Sequence, residues 1–257
     1  MTRYLDHPLV TERYFFPRPD RLPQTFWIES PGGRLACYYR APHRGARTIV
    51  HFHGNGEVVA DYVPELAQEF AAMGVNVLFV EYRGYGESTG KPQLVAMLDD
   101  VDAVFDALGQ PAENLIALGR SVGSIYALEL VHRHPGIWGL VLESGIADVL
   151  QRVALRVAPH ELGTTDAVLA REAATYFDHR AKLGAYRGRL LVLHAQDDGL
   201  MPLWHAQQNH ASATRAKRRI VIFPTGGHNA IFAHNRRRYL EEVARFLSGA
   251  DQAPDGD

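Results

Sequence analysis

The stretch NLIALGRSVGSIYALELVHRHP, residues 114–135, constrains this chain more than any other. Leu115 to Leu118 is a short apolar run of the kind that forms a buried strand, and Val122 to His134 has helix-forming character up to Pro135. Between them stand Gly119, Arg120, Ser121, Val122 and Gly123. Strand, sharp turn and helix with a serine at the apex is the arrangement of a nucleophile elbow. Its glycines let neighbouring backbone close on a strained turn that lifts the hydroxyl clear. The helix that follows brings the positive end of its dipole to that hydroxyl.

The G-x-S-x-G pattern occurs a second time, at Gly86-Glu87-Ser88-Thr89-Gly90. There Arg83, Gly84 and Tyr85 separate it from the strand-like run Val75 to Tyr82, and Lys91-Pro92 stand where a helix should begin. Ser88 is therefore expected to be a loop residue, and Ser121 the nucleophile.

Around the elbow, apolar runs alternate with helical segments. Strands are expected at Thr48 to Phe52, Val75 to Tyr82, Leu115 to Leu118, Gly139 to Leu142, Leu190 to His194 and Arg219 to Phe223. Helices are expected at Asp61 to Met73, Leu94 to Leu108, Val122 to His134 and Ile231 to Leu247. Such alternation specifies an α/β fold with a mostly parallel central sheet covered by helices on both faces. TFWIES (25–30) and RLACYYR (34–40), divided by Pro31-Gly32-Gly33, read as an antiparallel pair at its edge. Between about 145 and 187 the alternation lapses into helical sequence broken at Pro159 and Gly163, expected to be a small helical cap inserted in one domain spanning 1–248. Its Leu150, Val153, Leu155 and Val157 suit either an acyl pocket or core. The acidic, turn-rich tail 249–257 is expected to be disordered.

A serine hydroxyl needs a base to take its proton and a third group to orient that base. Of 13 histidines, His228 in PTGGHNA lies just beyond the strand ending at Phe223 and before the last helix. The acid should follow another strand, and LLVLHAQDDGLMP supplies Asp197 and Asp198, with Asp198 preferred and Asp148 in reserve. The chain order Ser121, Asp198, His228 differs from those of chymotrypsin and subtilisin. Backbone N–H groups for an oxyanion hole come from Asn55, in the His53-Gly54-Asn55-Gly56 turn, and from Val122 after the nucleophile. Because these donors belong to the main chain, replacing the Asn55 side chain is expected to show little.

Other chemistries find less support. His51 and His53, like His132 and His134, are two apart but have no third ligand nearby in sequence, so no metal is expected. The Gly-x-Gly fragments at 54–56 and 84–86 lack dinucleotide-binding spacing, so no cofactor is expected either. A net charge of −2 leaves no basic surplus for nucleic acid, and the runs at 217–219 and 236–238 read as solvated faces. Cys37 is alone, precluding an internal disulfide. Without a leader or membrane-spanning run in the sequence, a cytoplasmic location is expected.

HFHGNGE (51–57), FVEYRGYGESTGKP (79–92), ALGRSVGS (117–124), GLVLESG (139–145), LLVLHAQDDGLMP (190–202) and PTGGHN (224–229) together resemble the α/β-hydrolase superfamily. More narrowly the chain resembles its Bem46-like branch of serine hydrolases, which includes the ABHD17-like depalmitoylases. The resemblance implies the α/β-hydrolase fold and a serine hydrolase acting on esters or thioesters. It also selects Asp198, four residues before Pro202, and makes the RGYGES loop a structural feature. Ala195 stands where the branch usually has glycine. The palmitoylated or membrane-spanning N-termini of relatives acting at membranes have no counterpart here. An oligopeptidase or amide hydrolase could use the same three residues, as could a lyase, a C–C hydrolase or a perhydrolase. A non-catalytic ligand receptor could use the same fold.

Overall fold

The computed structural model describes residues 3–250. Eight strands form one sheet in the order β1-β2-β4-β3-β5-β6-β7-β8. Strands β1 (Phe26–Ser30) and β2 (Gly33–Arg40) run antiparallel at one edge; β3 (Thr48–Phe52), β4 (Asn76–Val80), β5 (Leu115–Arg120), β6 (Gly139–Glu143), β7 (Arg189–Ala195) and β8 (Lys217–Phe223) are mutually parallel. The helices are α1 (Pro8–Tyr14), α2 (Leu66–Ala72), α3 (Asp100–Leu108), α4 (Gly123–Arg133), α5 (Val149–Ala154), α6 (Asp166–Tyr176), α7 (His179–Ala185), α8 (Trp204–Ser212) and α9 (Ile231–Ser248).

Alternation along each strand divides the core into two layers. Leu115 and Ala117 of β5, with Leu190 and Val192 of β7, pack toward α3, α4 and the N-terminal residues. Ile116, Leu118, Leu191 and Leu193 pack on the other face with α2 and α9. Both faces of the central strands are thus covered, which is why they read as unbroken apolar runs rather than alternating ones. Helix α4 is buried from Gly123 to Val131. Its one buried carboxylate, Glu129, is matched by Arg133 at 2.7 Å and Lys182 at 2.5 Å.

The expected helix over 61–73 is shorter in the structure, beginning at Leu66. Pro64 disfavours helical geometry at Val63 and delays the start. Helices α1 and α8 are additions to the sequence reading. The segment between β6 and β7 carries α5, α6 and α7, with two packing environments. Helix α7 lies against α4 and α8, while α6 meets the N-terminal residues. There Glu172 accepts from the Tyr4 and Leu5 N–H groups, and Arg13 pairs with Glu161. Val153 and Val157 are core residues, whereas Leu155 is 67% exposed. Gly249 ends α9 in a left-handed conformation (φ +73°); residues 251–257 of the expected disordered tail lie outside the described residues. Among the described residues no helix is long and apolar enough to cross a membrane.

Candidate active site

Because β3, β5, β7 and β8 are parallel, the loops after them all leave the same rim of the sheet. Register sets their spacing: Phe52 is opposite Gly119, Arg120 opposite Glu143, and Ala195 opposite Phe223. The turns at 53–56, 121–123, 196–202 and 224–230 therefore converge.

Ser121 sits at the elbow with φ +52°, a conformation that costs a non-glycine residue about 1–3 kcal/mol. The turn persists because the Ser121 N–H donates to Glu143 O at 2.9 Å and its flanks are closely packed. A Cβ on Gly123 would stand 2.1 Å from Phe52 O, and one on Gly119 would stand 2.5 Å from Gly123 O. The two glycines are thus required by contact.

His228 Nε2 lies 2.9 Å from Ser121 Oγ, and His228 Nδ1 lies 2.9 Å from Asp198 Oδ2. Asp198 also accepts from the Leu200 and Met201 N–H groups through Oδ1. Burial opposes ionisation of Asp198, but the His228 contact and the Met201 N–H outweigh it and lower the carboxyl pKa. The neighbouring Asp197 faces elsewhere and accepts from the Gly227 N–H at 2.8 Å. Asp148 caps α5 by accepting from the Gln151 N–H. Ser88, the alternative serine, accepts from the Ala36 N–H at 2.8 Å and ties its loop to β2.

Asn55 and Val122 follow the paired ends of β3 and β5. Among the described residues, neither backbone N–H donates to a protein acceptor. The Asn55 side chain, to which the sequence assigns no role, is held by three hydrogen bonds. Its Oδ1 accepts from the Phe16 N–H at 3.0 Å and the Tyr85 hydroxyl at 2.8 Å, and its Nδ2 donates to Tyr14 O. The side chain anchors residues 14–16 beside the loop. Beneath that loop, His53 lies between Glu81 Oε1 at 2.7 Å and Gly54 O at 2.8 Å. Burial disfavours its charged form, but the Glu81 contact prevails and raises the imidazole pKa.

Three charged residues, Arg120, Glu143 and Glu57, receive no role from the sequence. Arg120, between the elbow glycine and serine, pairs with Glu143 at 3.2 Å and with Glu57. The available signal was a charged residue ending each of two otherwise apolar runs, LIALGR and GLVLE. No cluster of three or more potential metal ligands occurs among the described residues.

The family model for serine aminopeptidase, S33, matches residues 43–173. The uncharacterized protein YfhR of Escherichia coli strain K12 is 26% identical over 263 residues, covering 95% of this chain and 89% of that protein. Alpha/beta hydrolase domain-containing protein 17C of Mus musculus is 26% identical over 220 residues, covering 84% of this chain and 64% of that protein. Among solved structures, the Pyrococcus furiosus esterase Pf2001 superposes with a TM-score of 0.72 at 15% identity, covering 91% and 98% of the two chains. Est1E from Butyrivibrio proteoclasticus, with ferulic acid bound, gives 0.70 at 18% identity, covering 87% and 98%.

Proposed function

Because this chain belongs to the serine aminopeptidase S33 family of α/β-hydrolases, we propose that it is a serine hydrolase cleaving carboxylic esters or thioesters by way of an acyl-enzyme. The observation that carries this reading is the imidazole of His228, held between Ser121 Oγ and the Asp198 carboxylate at 2.9 Å from each. His228 takes the serine proton as Ser121 Oγ attacks the acyl carbon. The N–H groups of Asn55 and Val122 hold the oxyanion, and Asp198 stabilises the imidazolium. His228 then protonates the leaving alkoxide or thiolate; the same imidazole activates water to release the acid and regenerate Ser121.

The family description favours one second reading, amide or peptide hydrolysis. An aminopeptidase must also bind its substrate's terminal ammonium, usually with a carboxylate. Of the acidic side chains at this rim, Glu57 and Glu143 are engaged by Arg120 and Asp198 by His228, while the exposed Asp197 accepts, among the described residues, only from the Gly227 N–H. The engagement of the other three carboxylates supports ester or thioester substrates, and Asp197 is the carboxylate an aminopeptidase would have to use. Buried Cys37 suits a cytoplasmic setting, where a lone thiol stays reduced.

A fluorophosphonate probe should label the wild-type protein at Ser121, and nitrophenyl esters should be hydrolysed faster than peptide anilides. Ser121→Ala should fold normally and lose turnover by at least about a thousandfold. Retained ester hydrolysis in that variant would refute the assignment. A graded series of esters and acyl thioesters would define the acyl length.

A further inference from the structure

The residue preceding the nucleophile links three of the four turns used by the proposed chemistry. Arg120 ends β5 on the face packed with α2 and α9, and its side chain is 8% exposed. Its Nη2 donates to the carbonyl oxygen of His228 at 2.7 Å and to Asn229 Oδ1 at 3.2 Å. Nη1 meets Glu57 Oε1, while Nε lies 3.2 Å from Glu143 Oε1.

Each partner leads to a different part of the site. Glu57 Oε2 accepts from the Gly54 N–H at 2.5 Å and from the Tyr62 hydroxyl, fixing the His53–Gly54 peptide, one residue before the Asn55 N–H. Glu143 accepts from the Ser121 N–H through its main-chain oxygen and from the Tyr239 hydroxyl through Oε2 at 2.5 Å. One planar group thus joins the serine turn, the oxyanion loop and the histidine loop.

We propose that Arg120 is a positioning residue, whose guanidinium holds the His228 imidazole and the Asn55 N–H in register with Ser121 Oγ. This inference rests on the serine-hydrolase reading. A structural ion pair would need only the two carboxylates; here the fork also grips the backbone of the proposed general base. Burial opposes its charge, but Tyr62, Glu57 and Glu143 outweigh that effect and raise its pKa, so it remains a cation throughout the working pH range. Lysine cannot reproduce the arrangement, because one ammonium lacks the fixed divergent donors of a guanidinium.

The surroundings also provide a means of testing it. A cavity of about 240 Å³ opens beside Arg120, lined in part by Glu57, Tyr62, Glu143, Asn229 and Tyr239. Removing the Arg120 side chain would enlarge it toward the His228 carbonyl, leaving room for a guanidinium ion. In Arg120→Ala, kcat for a nitrophenyl ester should fall about a hundredfold with KM within threefold of wild type. Guanidinium at low, non-denaturing concentration should restore at least tenfold of that loss, whereas methylammonium should restore little.

Arg120→Lys should recover more thermal stability than kcat. Near-ultraviolet circular dichroism on the same samples gives the native fraction used to normalise each kcat. Wild-type normalised kcat in either variant would overturn the proposal, as would an alanine variant unresponsive to guanidinium. Fluorophosphonate labelling separates the two readings. An unlabelled wild-type protein defeats the serine-hydrolase reading, whereas a labelled wild type matched in rate by Arg120→Lys defeats only the positioning role.

Discussion

Asn55→Ala tests how far the first residues of the chain contribute to catalysis. The substitution removes acceptance from the Phe16 N–H and Tyr85 hydroxyl and donation to Tyr14 O. Each hydrogen bond is worth about 1 kcal/mol net. The Tyr85 hydroxyl still meets the Phe16 N–H at 3.0 Å, so its polarity is partly satisfied. A loss of about 2–3 kcal/mol follows, equivalent to a melting shift of about 5–10 °C in a chain of this size. The catalytic loss has an upper bound: deleting an oxyanion donor costs about 3–4 kcal/mol, and this variant only loosens one. Turnover should therefore fall about ten- to a hundredfold, with KM little changed. Steady-state ester hydrolysis, a thermal melt and hydrogen exchange over residues 8–18 measure all three consequences. A variant within twofold of wild-type kcat, with unchanged exchange at 8–18, would refute the coupling of this segment to the oxyanion loop.

Asp198→Asn should lower kcat about ten-thousandfold while Asp197→Asn stays within tenfold, and the reverse ranking would transfer the acid's role to Asp197. Gly123→Ala should cost about 1–3 kcal/mol in urea unfolding and most of the ester activity, because its methyl would displace the end of β3; wild-type values for both would contradict the packing. Burial lowers the pKa of His179 from 6.5 to about 4, although the Ile146 carbonyl acts in the opposite direction. The unfolded chain therefore binds the extra proton first. This contribution is present in full above pH 6.5 and is lost as pH falls through 4. It amounts to about 2.5 kcal/mol between pH 7.5 and 4.5. His179→Asn should remove that share of the pH dependence of urea unfolding, and an unchanged slope would exclude it.

Much of this architecture was legible because the parallel strands are short apolar runs punctuated by glycine, proline and charge. Ser121, Asp198 and His228 each follow such a run, so their shared rim could be inferred from chain order alone. Helices α1 and α8 were less visible: PLVTERY spans only seven residues, and WHAQQNHAS buries only His205, Ala206 and Asn209. The Arg120 network was hidden for another reason. Its partners at 57, 143 and 228 are near only after β3, β5, β6 and β8 take their places, and no periodicity records such meetings. The same holds for Asn55 and the residues at 14–16.

The N-terminal residues 4–16 bridge the loop after β3 and the segment between β6 and β7. Asn55 grips them on one side, and Glu161 and Glu172 grip them on the other. Phe16, 45% exposed, lies beside Gly56 in the loop that carries the proposed oxyanion donor Asn55. Entrance and proposed oxyanion donor therefore share one support, and a different leading segment is expected to change ester selectivity and turnover together.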